Sequence, residues 1–249
     1  MPLPTTSDAP LSLGAWCSLP SPHAVEVLSR AGFDWLCVDA QHGLMDRSDV
    51  VDALRAADVA GVPAFVRTAS QDAAELMHCL DAGAAGVIAP LVNSAAEARA
   101  VAGACRYPPR GGRSWGPARP QLTQSGYTTE LANERIVCGV QIETMAAVER
   151  LDEILAVDGV DLVLVGPNDL ALDLGLTPGP GIRGVAHAEA VTRIADACAR
   201  HGVVAAVFGG SVASALEFIP HGYRMLVAAT DTGLLATGAA AALAQLRAV

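Results

Sequence analysis

Short apolar runs alternate along this chain with longer segments whose apolar residues fall three and four positions apart. The runs occupy residues 12–16, 35–38, 64–66, 86–89, 136–142, 160–165, 203–208 and 224–227, and most are apolar almost without interruption. That is the pattern of parallel strands covered on both faces, not of a sheet with one wet side. The intervening segments predict helices that begin near Pro22, Ser48, Gln71, Ser94, Thr144, Gly184, Ser211 and Asp231. Eight strands, each followed by a helix, predict an α/β fold, a single-domain (β/α)8 TIM barrel over residues 1–249. An open doubly wound sheet is the alternative.

Local signals agree with these boundaries. Ser94-Ala95-Ala96-Glu97 has the form of a capping box, in which Ser94 accepts from the Glu97 backbone and Glu97 reaches back. Glycines beside Asp34, Asp81, Asp158 and His201 suit helix C-terminal stops. One connection breaks the rhythm. Residues 106–121, RYPPRGGRSWGPARPQ, have no apolar period. They predict an exposed loop, or a lid or subunit-contact loop that brings arginines to an anionic ligand.

Composition narrows the function. The chain is 52% hydrophobic, yet no stretch approaches the roughly 20 apolar residues of a membrane span. A net charge of -10 excludes the broad basic footprint that nucleic acid or anionic lipid requires. The opening MPLPTTSDAP lacks the basic and apolar regions of a secretion signal. Cys17, Cys37, Cys79, Cys105, Cys138 and Cys198 form no CxxC pair and read as small buried hydrophobes of a reducing cytoplasm. All sixteen basic residues are arginine, so chemistry through a lysine Schiff base is closed to this chain.

In a barrel, ligands gather at the C-terminal ends of the strands. Those ends carry Trp16, Asp39 with Gln41 and His42, Arg67, Pro90 with Asn93, Gln141 with Glu143, Asn168 with Asp169, Phe208 and Asp231. Glu143 and Asp169 lie one strand-helix-strand unit apart. Both precede helical segments, so they read either as helix caps or as ligands of a divalent metal. Gln141 shares a strand face with Glu143 and adds a third polar group there. Two carboxylates without a histidine or thiolate make an oxygen-only site, suited to Mg2+ or Mn2+ before Zn2+. Asp39 and His42 read as a pair in which the carboxylate orients the imidazole. Arg67 ends an apolar strand, where its guanidinium needs an anion. A substrate carboxylate, an enolate oxygen, Asp39 or Glu143 would serve.

The stretches WCSLPSPHAVEVLSRAGFDWLCVDAQHG, VRT, GAAGVIAPLVNSAAEARAVAGACRYPPRGGRS, VQIET, AVERLDEILAVDGVD, GPNDLALDLG and ATDTGLLATGAAAAL, in order over nearly the whole chain, closely resemble the HpcH/HpaI aldolase family. The resemblance implies a barrel that makes or cleaves a carbon-carbon bond through a pyruvate enolate held at a divalent metal. By the same resemblance Glu143 and Asp169 are the metal ligands, for Mg2+, Mn2+ or Co2+, and Gln141 orients a metal-bound water. Arg67 stabilises the enolate oxygen, and Asp39 with His42 forms the dyad that moves the proton. Trp16 lines the aldehyde pocket, and the backbone from Gly166 through Pro167 to Asn168 holds the pyruvate carboxylate. A homo-oligomer, hexamer or trimer, is implied, with the helix from about residue 231 packed on a neighbour. Two departures stand out. Asp39-Ala40-Gln41-His42 replaces the DxEH of many members, which puts an amide, Gln41, beside the proposed base. Asn168 stands where small residues are frequent, so it narrows the pocket or adds a hydrogen bond.

The expected function is therefore a class II aldolase that splits a 4-hydroxy-2-oxo acid or a 2-keto-3-deoxy sugar acid into pyruvate and an aldehyde. Without lysine, the metal route is the one aldolase mechanism left. The alternatives are an acyl-CoA lyase of the citryl- or malyl-CoA type, supported directly only by the arginines of residues 106–121, and a non-catalytic barrel kept for binding.

Overall fold

The computed structural model describes Leu3 and residues 9–248, so the stretch read for a secretion signal lies mostly outside the described residues. Eight strands form a closed barrel in chain order: β1 (Ser12–Cys17), β2 (Trp35–Asp39), β3 (Ala64–Arg67), β4 (Gly86–Ala89), β5 (Val137–Ile142), β6 (Leu162–Val165), β7 (Val204–Phe208) and β8 (Met225–Thr230). Every pairing is parallel, including β8 with β1. The predicted runs coincide with these strands to within a few residues. The largest difference is β8, which runs on to Thr230 because its register against β1 shifts between Gly14 and Ala15 and carries the pairing further.

The helices are α1 (Pro22–Ser29), α2 (Arg47–Ala60), α3 (Ala73–Asp81), α4 (Ala95–Cys105), α5 (Pro120–Thr123), α6 (Thr129–Arg135), α7 (Met145–Glu149), α8 (Leu151–Leu155), α9 (Pro167–Asp173), α10 (Val185–His201), α11 (Val212–Phe218) and α12 (Asp231–Arg247). The short α5 and α6 escape the sequence reading because TELANER carries too few apolar residues to show a period. Ser94 caps α4 as expected, through the Glu97 N–H at 3.3 Å. The return bond differs: the Glu97 carboxylate accepts from the Asn93 N–H, at 2.6 Å, because that group faces the first turn.

Strand side chains alternate, so one set fills the barrel and the other packs under the helices. Trp35, Cys37, Phe65, Ile88, Leu162, Leu164, Val204, Ala206, Met225 and Val227 make the inner plug. Glycine is required at position 14, where a β-carbon would overlap the Trp35 ring. All six cysteines are free and buried. Burial pushes the thiols of Cys79 and Cys198 up to about 12, so neither is a nucleophile near neutrality. No helix among the described residues is long and apolar enough to cross a membrane.

Residues 106–121 form a mostly exposed loop, as one reading expects, but correct the expectation of a lid. The segment joins the end of α4 to the run-up to β5, so it lies on the face opposite the strand C-termini. Its arginines are already bonded there. Arg106 meets Asp161 at 2.7 Å, Arg113 meets Asp81 at 2.6 Å and lies 4.6 Å over the Tyr107 ring, and Arg119 meets Asp58 at 2.9 Å. This is a largely exposed loop pinned across the base of the barrel by buried arginines, and not a lid over the strand C-termini.

The last helix, α12, packs differently from the rest. Beyond Asp231 its described residues are all exposed, including Leu234, Leu235, Leu243 and Leu246. Near the same seam of the barrel, Leu11 and Leu13 stay about 40% exposed.

Because the Arg113 side chain is wholly buried, Asp81→Ala would strand its charge. Urea unfolding should show a loss of about 3–5 kcal/mol, against well under 1 kcal/mol for an exposed loop contact.

Candidate active site

The ends of the inward-facing rows build a cleft of about 310 Å³, lined among others by Trp16, Asp39, His42, Arg67, Gln141 and Asp169. Gly166, Pro167 and Asn168 also line it, with Phe208, Thr230 and Thr232 closing the far side.

Asp39 is the centre of one half. Its carboxylate accepts both Arg67 Nε at 2.9 Å and Nη2 at 2.7 Å, and Oδ2 also accepts the Trp16 indole N–H at 3.1 Å. The backbone N–H groups of Gln41 and His42 donate to Oδ1, at 3.1 and 3.2 Å. Burial alone would push this carboxyl up, but Arg67, Trp16 and the His42 N–H outweigh it and hold it below 3.8. The expected Asp39–imidazole bond is therefore absent: Asp39 grips the His42 backbone, and the imidazole stands exposed at the cleft rim. The reason is competition, since a bidentate guanidinium takes the oxygens that an imidazole would need. Trp16 packs edge-on to Phe208 at 5.1 Å, with the Arg67 guanidinium 5.0 Å from its ring centre.

The other half is built around Glu143. It is buried, with Oε1 accepting the Leu91 N–H at 2.9 Å and Oε2 accepting Gln141 Nε2 at 2.5 Å. Burial, with the charge of Asp169 added, pushes its carboxyl from 4.5 up to about 7, against the opposing pull of the Leu91 N–H, Arg67 and Gln141. Neither carboxylate is a helix cap. Thr144 caps α7 through the Ala147 N–H, and the start of α9 at Gly166 has no side-chain cap at all. Asp169 is exposed in the first turn of α9 and takes no hydrogen bond from the described residues. A β-carbon at Gly166 would collide with Glu143 Oε2 and Gln141 Nε2, so glycine keeps this floor open.

A divalent cation fits this chemistry. A desolvated carboxylate beside a second one lacks a counter-charge, and the buried Gln141 Oε1 has no partner. The donors are oxygens alone, and no cluster of three or more His, Cys, Asp or Glu occurs among the described residues. Such a site leaves most coordination positions to water and substrate.

Gln41 falls outside the cleft lining, its Oε1 buried without a partner. The Asn168 side chain reaches away along the rim, where Oδ1 accepts the Gly179 N–H at 2.9 Å and ties down the glycine-rich segment that follows α9. Asp231, expected at the mouth, is a staple instead: its Oδ2 accepts the N–H groups of Ser18 and Leu19, both at 2.8 Å. The Leu91 N–H, Ser18, Thr230 and Thr232 carry no sequence signal, because backbone donors and short polar loop residues look alike in any loop.

Sequence comparison meets this geometry. The family model described as HpcH/HpaI aldolase/citrate lyase matches residues 12–237. The chain belongs to the HpcH/HpaI aldolase/citrate lyase family. A hydroxypyruvate/pyruvate aldolase of Rhizorhabdus wittichii is 39% identical over 239 residues, covering 96% of this chain and 95% of that protein. The 4-hydroxy-2-oxo-heptane-1,7-dioate aldolase of Salmonella typhimurium is 34% identical, covering 92% and 88%. A crystal structure of an HpcH/HpaI aldolase/citrate lyase family protein from Burkholderia cenocepacia superimposes with a TM-score of 0.88 at 32% identity, covering 96% and 95%. The barrel is thus that of an enzyme family acting on carbon-carbon bonds.

Without metal, Glu143 binds a proton in the folded chain up to about pH 7, whereas the unfolded chain releases it near 4.5. Folded stability should therefore fall as pH rises through this window, by on the order of 3 kcal/mol at most. Denaturant titrations in chelator from pH 4 to 8 should show that decline in the native chain and lose it in Glu143→Gln. Parallel curves would refute the assignment.

Proposed function

We propose that the protein is a class II aldolase that reversibly splits a 4-hydroxy-2-oxo acid or 2-keto-3-deoxy sugar acid into pyruvate and an aldehyde. The observation that carries this is Glu143: a carboxylate with its pKa pushed to about 7, beside Asp169 and the orphaned Gln141 Oε1, in a chain of the aldolase family. Glu143 and Asp169 hold the cation, Mg2+ or Mn2+ with Co2+ as a substitute. A divalent cation at that point supplies a Lewis acid for the keto oxygen of the 2-oxo acid, worth several kcal/mol of charge stabilisation.

The protein side follows from the bonds. Two of the three Arg67 nitrogens are committed to Asp39, which aims the guanidinium rigidly. The third, Nη1, has no partner among the described residues and is free to donate to the oxygen on which negative charge develops. Gln141 Oε1 accepts a proton donor such as water over the same floor. The uncapped first turn of α9 offers the backbone N–H of Asn168 to the substrate carboxylate, Pro167 having no N–H to give. His42, exposed on the rim, exchanges the proton with the hydroxyl that becomes the aldehyde, acting without a carboxylate partner. Trp16 and Phe208 form the apolar wall against which the aldehyde packs.

The acyl-CoA reading loses its footing, because the arginines that supported it strap the base of the barrel. We also propose a homo-oligomer in which α12 lies against another copy. An alanine- and leucine-rich helix with no buried face is marginal in water, and the exposed Leu11 and Leu13 offer it apolar wall. Free, buried cysteines suit a reducing cytoplasm.

Incubating pyruvate with varied aldehydes and reading products by mass tests the reaction. Exhaustive chelation should stop product formation and Mg2+, Mn2+ or Co2+ should restore it, while Arg67→Ala should cut turnover about 10²- to 10³-fold. Full activity in chelator would sink the proposal. Light scattering tests the assembly: the full chain should be a multimer, and a chain ending at Thr230 should lose that mass. A monomeric full chain would refute it.

A further inference from the structure

Leu91 is the one non-glycine residue with positive φ among the described residues, at 55°. It sits in the loop after β4, exposed, where nothing about its side chain calls for a left-handed backbone. That conformation is disfavoured for a branched residue and persists only where surrounding bonds enforce it. Its effect is to send the Leu91 N–H to Glu143 Oε1 at 2.9 Å.

The enforcing bonds are all present. Gln71 Nε2 donates to the carbonyls of Pro90 and Leu91, at 3.0 and 2.9 Å. Asn93 Nδ2 donates to the same Leu91 carbonyl at 2.7 Å, and Asn93 Oδ1 accepts the Thr144 hydroxyl. Val92 donates its N–H to the Gln141 carbonyl at 3.3 Å, fastening the loop to β5 itself. Thus the side chains of two residues outside the cleft lining bond the loop whose N–H, together with Gln141 Nε2, holds the Glu143 carboxylate.

We infer that Gln71 and Asn93 are positioning residues for the cation site: they hold Leu91 left-handed, and its N–H fixes the orientation of Glu143. The inference rests on Glu143 being a cation ligand. Groups that orient ligands in this way typically change metal affinity by about 10- to 100-fold when removed.

The test is calorimetric titration of Mn2+ into chelator-stripped protein, with melting curves as a check of folding. Gln71→Ala and Asn93→Ala should each weaken Mn2+ binding about 10- to 100-fold. Asparagine tolerates the left-handed region, so adding Leu91→Asn to Gln71→Ala should recover much of the lost affinity. Native affinity in Gln71→Ala, or no recovery in the double variant, overturns the inference. Should one single variant fail to fold, the other carries the same comparison. Glu143→Gln separates the two levels. If it binds Mn2+ as tightly as the native chain, the cation site itself is misassigned. If it does not bind while Gln71→Ala binds normally, the positioning alone is wrong.

Discussion

Side chains alternate along a strand, and a closed barrel of parallel strands lines those alternations up in register around one axis. Only one residue in two can face inward, and only the last inward residue of each strand meets solvent. Trp16, Asp39, Arg67, Gln141 and Phe208 hold those last positions, and Glu143 and Gly166 continue the rows just beyond. Beneath them the plug of Trp35, Phe65, Ile88 and Leu162 is dry. Water therefore reaches these charges from above alone, and their interactions are stronger for it.

Within that ring the charges divide into a settled half and an unsettled one. Asp39 and Arg67 neutralise each other through two bonds in a fixed plane. Such a pair adds little net stability once desolvation is counted, but it defines where the remaining guanidinium nitrogen points. Glu143 and Asp169 have no such partner, and the raised pKa of Glu143 expresses that deficit. A bound cation would resolve it.

Much of the architecture was legible from residue patterns alone. Eight apolar runs are eight strands because buried parallel strands have no polar face to blur the signal. The strand ends were equally readable: Trp16, Asp39, His42, Arg67, Gln141 and Asp169 line one cleft, with Glu143 bonded to Gln141 beside it. Pairings were less so. Asp39 stands three residues from His42 and twenty-eight from Arg67, and sequence proximity favoured the wrong partner. Residues 106–121 read as an exposed loop or a lid because Arg, Pro and Gly also compose loops that bind anions. That those arginines meet Asp58, Asp81 and Asp161 depends on three distant elements ending on the same face. The loop at Leu91 was invisible, since its contribution is a backbone N–H in an unusual conformation.

Thr230 and Thr232 line the cleft, and between them Asp231 clamps the segment after β1. The same three residues open α12, whose remaining length stands clear of the barrel. Seventeen residues of helix span roughly 25 Å, so one wall of the site is also the root of a long exposed arm, and the two cannot be altered independently at Thr230, Asp231 or Thr232.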